Sequence, residues 1–536
     1  MRFFPGVRGF ESGAPQSSTR QHDRLPNGTA SSRPPLRDWP DPADTILRPP
    51  SDERSPMSGS VTEWLREHLV SLVVITVYVL ALLSAARAVL FSRTAQGSMA
   101  WVLALLLMPF LTLPFYWVFG RSKFEGYVGR RNRVMARAAT RLAEFETVES
   151  YLDLPDERFA ELHTLARRLG AGGFARGNRT RLLIDGEAAF EEMLAAISSA
   201  RRFVLVQFYI FRDDGIGRRF QEAMMERARA GVTVCFLYDE IGYRLGDRFL
   251  RPLRDCGIAC FPFDPGRKGV RLQINFRNHR KVVVVDGTCA FLGGVNVGDD
   301  YLGKYPQRGF WRDTHLRVDG PAAAQAQVAF FKDWFWATDE LPPVKFHIVP
   351  EDDGEARVLV WHTGPSDPQP ECLLSWLAVI NNARERLWLA TPYFVPPEPV
   401  LHALRLAMMR GVDVRILVPQ KNDNLAVQLA SQVHLADMAN CGAHVYRWTD
   451  GFMHQKVALA DDGLVVIGAA NLDHRSIFIN FEISALCVDA QLSLEVAQML
   501  EQDFERSERI SLDEFRNAGY WRRLACRTAN LFAPML

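Results

Sequence analysis

The chain has 536 residues, too many for one compact core, so two or three domains are expected. Its 63 basic and 62 acidic residues leave a net charge of +1, without the basic excess of a dedicated nucleic-acid binder. Hydrophobic residues make up 48% of the chain, an ordinary share, so any membrane signal has to be local.

Residues 1–56 are rich in Pro, Ser, Arg and Asp and lack apolar periodicity. Such a segment cannot bury enough surface to offset its ordering entropy, and disorder is expected. Met57 precedes a helix start and is a candidate translation start; an intact mass matching a start at Met1 would exclude it.

Two apolar stretches follow. Leu69–Ala86 is a run of 18 uncharged residues, and Thr94–Gly120 carries no charge, with its apolar centre at Met99–Phe119. Both are transmembrane candidates, about 69–88 and 99–119, with kinks expected at Pro109 and Pro114. The short connection makes a helical hairpin with both ends on one side. Seven basic residues (Arg121, Lys123, Arg130, Arg131, Arg133, Arg137 and Arg141) against Glu125 follow the pair. The positive-inside rule then puts the remainder of the chain on the cytoplasmic side of the membrane. A cleaved signal peptide fits less well, because Glu63 and Glu67 stand where a basic flank is needed.

An amphipathic linker helix is expected between about 130 and 170. Beyond it the chain repeats itself. Ile197–Phe203 with Val204–Tyr209 matches Ile380–Arg386 with Leu387–Tyr393, Ala230–Leu237 matches Arg410–Leu417, and Cys256-Gly257 matches Cys441-Gly442. The order is kept and the offsets run from 180 to 185 residues. Each unit reads helix, apolar strand, helix, apolar strand, an α/β pattern. The expected divisions are 1–56 extension, 57–125 membrane hairpin, 126–175 linker, and α/β lobes at 176–350 and 351–536. The eight cysteines form no CxxC pair and lack histidines at metal spacing, which reads as idle thiols in a reducing compartment with no metal implied. Gly215-Ile216-Gly217 lacks the third glycine of a dinucleotide fingerprint, and no cofactor is implied.

The chemistry repeats as well. The first unit has His279-Arg280-Lys281, then Asp286-Gly287 and Gly293-Gly294-Val295-Asn296. The second has His454-Gln455-Lys456, then Asp461-Asp462-Gly463 and Gly468-Ala469-Ala470-Asn471. Histidine and asparagine are 17 residues apart in both units. Each HxK enters a short apolar strand, so its imidazole and ammonium share a face. The aspartates fall at hairpin turns, where they either touch a substrate or shape the turn.

A neutral imidazole beside an ammonium and an amide suits attack on a phosphorus centre whose oxygens are held. One set cannot also protonate the leaving group on the opposite side, but two facing sets can. Catalytic candidates are therefore His279, Lys281, Asp286, His454, Lys456 and Asp461, with Lys281, Lys456, Asn296 and Asn471 binding phosphate. Asp313 and Glu482 are candidate carboxylates to orient the histidines. Thr391–Pro397 is expected as an irregular rim near the site.

These residues resemble the phospholipase D superfamily, whose HxKxxxxD motif occurs here twice with trailing GGxN and GAxN elements. Within it the chain is similar to bacterial cardiolipin synthases, through the two membrane segments, Phe119-Gly120-Arg121, Asn278–Lys281, Asp299-Asp300-Tyr301, Trp311-Arg312-Asp313 and Asn471–Ser476. The resemblance covers roughly residues 60–530. Ala469 stands where the family often has serine, which removes one phosphate-directed hydroxyl. The resemblance implies two α/β lobes with pseudo-two-fold symmetry and one active site at their seam. It implies a reaction of two phosphatidylglycerols that gives cardiolipin and glycerol through a phosphatidyl-histidine. Family precedent makes His279 the nucleophile and His454 the acid and then the base, an assignment that sequence symmetry leaves open. Water or serine as acceptor would instead give a phospholipase D or a phosphatidylserine synthase. A nuclease fits poorly with a membrane hairpin, and a non-enzymatic scaffold fits poorly with two intact HxK pairs. Expected partners are phosphatidylglycerol and membrane lipid, with no nucleic acid; nothing in the sequence sets an oligomeric state.

Overall fold

The computed structural model describes residues 61–92, 95–120, 150–153, 156–240, 242–263, 275–305, 309–517 and 519–535. The segment 1–56, the basic run 121–141 and most of the expected linker helix lie outside them. The chain divides into Met1–Leu69 and Val70–Leu536, and the architecture below is that of the second unit.

Helix α1 covers Val61–Phe91, and its portion His68–Phe91 is long and apolar enough to cross a membrane. Its 24 residues rise about 36 Å, more than a bilayer's hydrocarbon thickness. The second apolar stretch forms two shorter helices, α2 (Ala95–Leu107) and α3 (Pro109–Phe119). The break falls at Met108, because Pro109 has no N–H for the carbonyl four residues back and its ring crowds that carbonyl. Pro114, the other expected kink, sits inside α3 without ending it. Small residues of α1 (Ala81, Ala85 and Ala88) pack with Leu105, Leu113 and Tyr116. Small side chains at helix contacts are also the rule where apolar helices associate in lipid. The Trp117 indole donates to the Ser84 hydroxyl at 3.3 Å.

The first lobe supplies strands β1 (Ala175–Ile184), β2 (Phe203–Phe208), β3 (Thr233–Tyr238), β4 (Ala259–Pro262), β5 (Val282–Val285), β6 (Cys289–Gly293), β7 (Trp311–Arg312) and β8 (Thr314–Asp319). The second supplies β9 (Ala356–Thr363), β10 (Arg386–Ala390), β11 (Phe394–Val395), β12 (Asp413–Pro419), β13 (His444–Trp448), β14 (Phe452–Met453), β15 (Val457–Ala460), β16 (Leu464–Gly468), β17 (Leu472–Asp473), β18 (Glu482–Val488) and β19 (Ser507–Arg509). Fifteen of these form one sheet. From its centre outward the order is β1-β8-β6-β5-β2-β3-β4 on one side and β9-β18-β16-β15-β10-β12-β13-β19 on the other. β1 and β9 pair antiparallel at the seam, and corresponding neighbours share the same parallel or antiparallel sense. The sequence repeat is thus a pseudo-two-fold repeat of the fold.

Helices cover both faces of this sheet, so its central strands read as unbroken apolar runs. Val282–Val285 and Val457–Ala460 are buried at every position. One core cluster joins both lobes through Val284, Leu316, Leu459 and Ile483 with Phe330, Trp334 and Leu500 of helices Ala322–Thr338 and Ala490–Glu505. Each lobe has its own core on the opposite face, around Phe208 and Phe236 in the first and Leu389 and Ile416 in the second.

The hairpins β5–β6 and β15–β16 place the motif aspartates. Val285 pairs with Cys289 and Ala460 with Leu464, leaving three-residue turns. Asp286 and Asp461 open these turns at φ 54° and 53°, a conformation that Asp tolerates better than most residues. The Asp286 carboxylate accepts the N–H groups of Arg201, Arg202 and Phe203 at 2.7–2.9 Å. The Asp461 carboxylate accepts those of Arg384, Glu385 and Arg386 and pairs with Arg158. Each aspartate thus ties its turn to the start of the neighbouring strand, a four-residue strand (about 13 Å) from its HxK. We propose that, of the two roles open to them, they hold the strands that carry the chemistry. Asp286→Ala should therefore lower stability by about 2–4 kcal/mol, read as a fall in thermal midpoint, while turnover per folded molecule stays within about threefold. A hundredfold loss of turnover at unchanged stability would return Asp286 to the reacting groups.

Candidate active site

The site is built where β5 and β15 begin. His279 and Lys281 immediately precede β5, and His454 and Lys456 precede β15. Alternation along the strand sends the middle residue of each triplet the other way. Arg280 reaches Asp333 of helix Ala322–Thr338 at 2.7 Å, and Gln455 donates to Asp503 of helix Ala490–Glu505 at 3.1 Å. Arg312 reaches the same Asp503 at 3.0 Å. These buried contacts anchor each triplet from behind.

The two candidate orienting carboxylates cross between lobes. His279 Nδ1 lies 3.0 Å from both oxygens of Glu482, at the start of β18 in the second lobe. His454 Nδ1 lies 2.7 Å from Asp313 Oδ2, which stands between β7 and β8 in the first. The backbones cross too. His279 N–H donates to Phe481 C=O and His454 N–H to Arg312 C=O, and β14 pairs with β7 in parallel. Neither half-site is complete within its own lobe.

Glycine makes the crossing possible. A Cβ on Gly294 would lie 2.1 Å from Asp313 Oδ1, so a side chain there would displace the carboxylate.

The six groups form one buried electrostatic cluster. Burial pushes Lys281 down to about 7, against Glu482 and with help from Lys456. Burial likewise pushes Lys456 down to about 8, against Asp313 and Glu482. Burial lowers His279 to about 4, leaving it neutral, and holds His454 well below the usual imidazole range with help from Lys456, Lys281 and His279. The carboxylates differ. Burial works against a charged Glu482, yet His279 and Lys281 hold it below the ordinary range. Asp313 is pushed up to about 6 by burial, only partly countered by Lys456. An ionised Glu482 is acceptor-only, so His279 presents Nδ1–H to it and keeps Nε2 as a free lone pair.

Each lysine ammonium donates to the carbonyl of its own triplet's histidine, at 2.7 Å for Lys281. Asn296 accepts the Ile210 N–H at 3.1 Å and donates to the Tyr301 hydroxyl at 2.9 Å; that hydroxyl lies 3.3 Å from His454 Nδ1. Asn296 thus reaches the second lobe's histidine through Tyr301. Asn471 is buried beside Asp473, and its Oδ1 has no hydrogen-bond partner among the described residues. The rim segment Thr391–Pro397 pairs with this region through β11 and β17.

Several neighbours of the histidines carry no site role in the sequence analysis, although Tyr209, Tyr301 and Trp311 fall in segments quoted there. Tyr209 packs edge-on against His279 with ring centres 5.0 Å apart, and Lys281 Nζ lies 5.5 Å from the same ring. Tyr301, Trp311 and Phe452 surround His454. Tyr209 had a signal, since the repeat aligns it with Tyr393; Asp333 and Asp503, deep in apolar helices, had none. Among the described residues, no group of three or more His, Cys, Asp or Glu side chains is placed to hold a metal ion. All eight cysteines are unpaired.

Paired HxK half-sites with carboxylates exchanged across a pseudo-two-fold seam define a phospholipase D-like site. The family described as "Cardiolipin synthase, PLD-like domain" matches residues 376–507, and "Phospholipase_D-nuclease N-terminal" matches residues 76–121. Cardiolipin synthase A of Pseudomonas aeruginosa strain LESB58 is 44% identical over 90% of this chain and 99% of its own length. Cardiolipin synthase A of Pseudomonas putida strain GB-1 is 42% identical over 86% and 97%. The crystal structure of phosphatidylserine synthase from Haemophilus influenzae Rd KW20 shares the fold, with TM-score 0.54 and 15% identity over 70% of this chain and 100% of that one. The chain belongs to the cardiolipin synthase family, phosphatidyltransferases of the phospholipase D superfamily.

If the site needs both ammonium charges, kcat/KM, which reports the free enzyme, should fall as pH rises through about 7 to 8, where Lys281 and Lys456 lose their protons. The acid limb should lie near 6, where Asp313 takes up a proton, and not at the lower value of His279. A bound phosphate stabilises the ammoniums, so kcat should hold to higher pH than kcat/KM. A kcat/KM profile flat to about pH 9 would contradict this assignment of the lysines.

Proposed function

We propose that the protein condenses two phosphatidylglycerols into cardiolipin and glycerol in the cytoplasmic leaflet of a bacterial inner membrane. His279 Nε2 attacks the phosphorus of the first phosphatidylglycerol, and the bond from phosphorus to the headgroup glycerol oxygen breaks. His454, protonated once the anionic substrate is bound, gives its proton to that oxygen. Neutral His454 then takes a proton from a hydroxyl of the second phosphatidylglycerol, whose oxygen attacks phosphorus and releases His279. Lys281, Lys456, Asn296 and Asn471 hold the non-bridging oxygens as charge builds on them. Glu482 and Asp313 are positioning residues.

The carrying observation is the asymmetry of the two carboxylates. An anionic Glu482 across from His279 favours a cationic phospho-imidazole. Asp313 titrates near 6, which suits a histidine that must gain and lose a proton in turn. The apolar helix α1, with α2 and α3 packed on it, supports a multi-pass anchor, and the basic run after α3 supports cytoplasmic lobes.

Labelled phosphatidylglycerol supplied to the full-length enzyme should give cardiolipin and free glycerol; phosphatidic acid as main product would make the acceptor water. His279→Ala and His454→Ala should each lower turnover by at least about 100-fold. Enzyme stopped during turnover with denaturant at neutral to mildly alkaline pH, where a histidine P–N bond survives, should carry the phosphatidyl group on His279, and an adduct on His454 would reverse the roles.

A further inference from the structure

The C-terminal helix, Tyr520–Leu531, carries large apolar side chains on its open face. Trp521 is 77% exposed, Leu531 79% and Tyr520 65%, with Leu524 also exposed. At 100° per residue these four fall within an arc of about 100°, opposite the buried Cys526. Phe532 and Met535, just beyond, are exposed as well. Arg527 and Arg523 border one edge of the arc, about 20° and 60° beyond Tyr520, and Arg522 lies on the Cys526 side; all three line a cleft with helix Leu425–Asn440, where Asp437 and Glu514 face Arg405 and Arg447. No carboxylate among the described residues pairs with them.

The segment is fixed in place, not dangling. Asn530 Oδ1 lies 2.8 Å from His434 Nε2, and Ala533 is buried with Val395, Val427 and Ala430. It is also tied to the active-site loops. Arg475, four residues after Asn471, donates to the Met535 carbonyl and to the side chain and carbonyl of Asn275, four residues before His279. Arg475 thus links the end of this segment to chain stretches four residues from Asn471 and from His279.

We infer that the exposed face of the C-terminal helix docks in the headgroup region of an anionic lipid bilayer and brings the active site onto its substrate. Tyr and Trp rings with leucines, bordered by Arg523 and Arg527 that have no ion-pair partner among the described residues, have the composition of an interfacial helix. Unpaired guanidiniums complement lipid phosphates, and the chain's own membrane helix keeps a bilayer within reach. A second copy of the chain would set these arginines against each other across a symmetric contact. The inference rests on the reading that the substrate is a membrane phospholipid.

The test uses full-length protein in nanodiscs of phosphatidylcholine and phosphatidylglycerol. Lipids brominated on the acyl chain should quench wild-type tryptophan emission more than that of Trp521→Phe; equal quenching would overturn the proposal. Trp521→Asp with Leu524→Asp should raise the bilayer fraction of phosphatidylglycerol needed for half-maximal rate at least about fivefold, while turnover of monomeric dihexanoyl-phosphatidylglycerol changes less than about twofold. Equal losses on both substrates would mean a structural role and overturn the docking. So would a dimer in detergent that the double variant dissociates without any bilayer effect. If wild-type enzyme forms no cardiolipin but the quenching difference holds, the proposed reaction fails and the docking surface stands.

Discussion

The exchange of carboxylates across the seam is the interaction on which the remaining structure depends. Glu482 reaches from the second lobe to His279, and Asp313 from the first to His454. Each exchange is carried by backbone pairing, because the peptide next to each carboxylate accepts the N–H of the histidine it orients. Separating the lobes would remove both orienting groups and leave two buried lysines without counter-charge. The pseudo-two-fold sheet, the β1–β9 seam and the core cluster shared by both lobes all serve to keep this crossing in register.

The same crossing sets the electrostatics. Two ammoniums and two carboxylates lie in one low-dielectric cluster, so their charges are strongly felt there. Both lysines are displaced toward neutrality, the sign of a site that gains from an added anion. A phosphate entering it supplies the counter-charge that the protein withholds. A near-symmetric repeat also becomes chemically unequal here, since Glu482 stays low while Asp313 rises. That inequality lets two similar histidines take opposite roles in the proposed reaction.

A lipid-directed site has to meet its substrate at a surface. The apolar helix near the N-terminus and the aromatic, arginine-flanked helix near the C-terminus are far apart in the chain, yet both present the side chains that bilayers favour. The turn that follows the C-terminal helix is hydrogen-bonded through Arg475 to Asn275, four residues before His279, which ties the proposed docking element to the segment that carries the first half-site.

The sequence by itself determined the repeat, the α/β pattern, the apolar helices and the residue types of both half-sites. It could do so because strand alternation, turn chemistry and the i, i+2 spacing of HxK are local and need no knowledge of neighbours. It also named Glu482 and Asp313, one from each unit. The local pattern left the motif aspartates ambiguous, because a turn aspartate looks the same whether it meets substrate or three backbone amides; the packing of Asp286 on residues 201–203 is what favours the turn role proposed for it. Which carboxylate serves which histidine was decided by tertiary structure alone. That choice depends on strand ends 203 and 141 residues apart in sequence being brought together, with Asp333 and Asp503 holding them from behind, and no spacing rule encodes it.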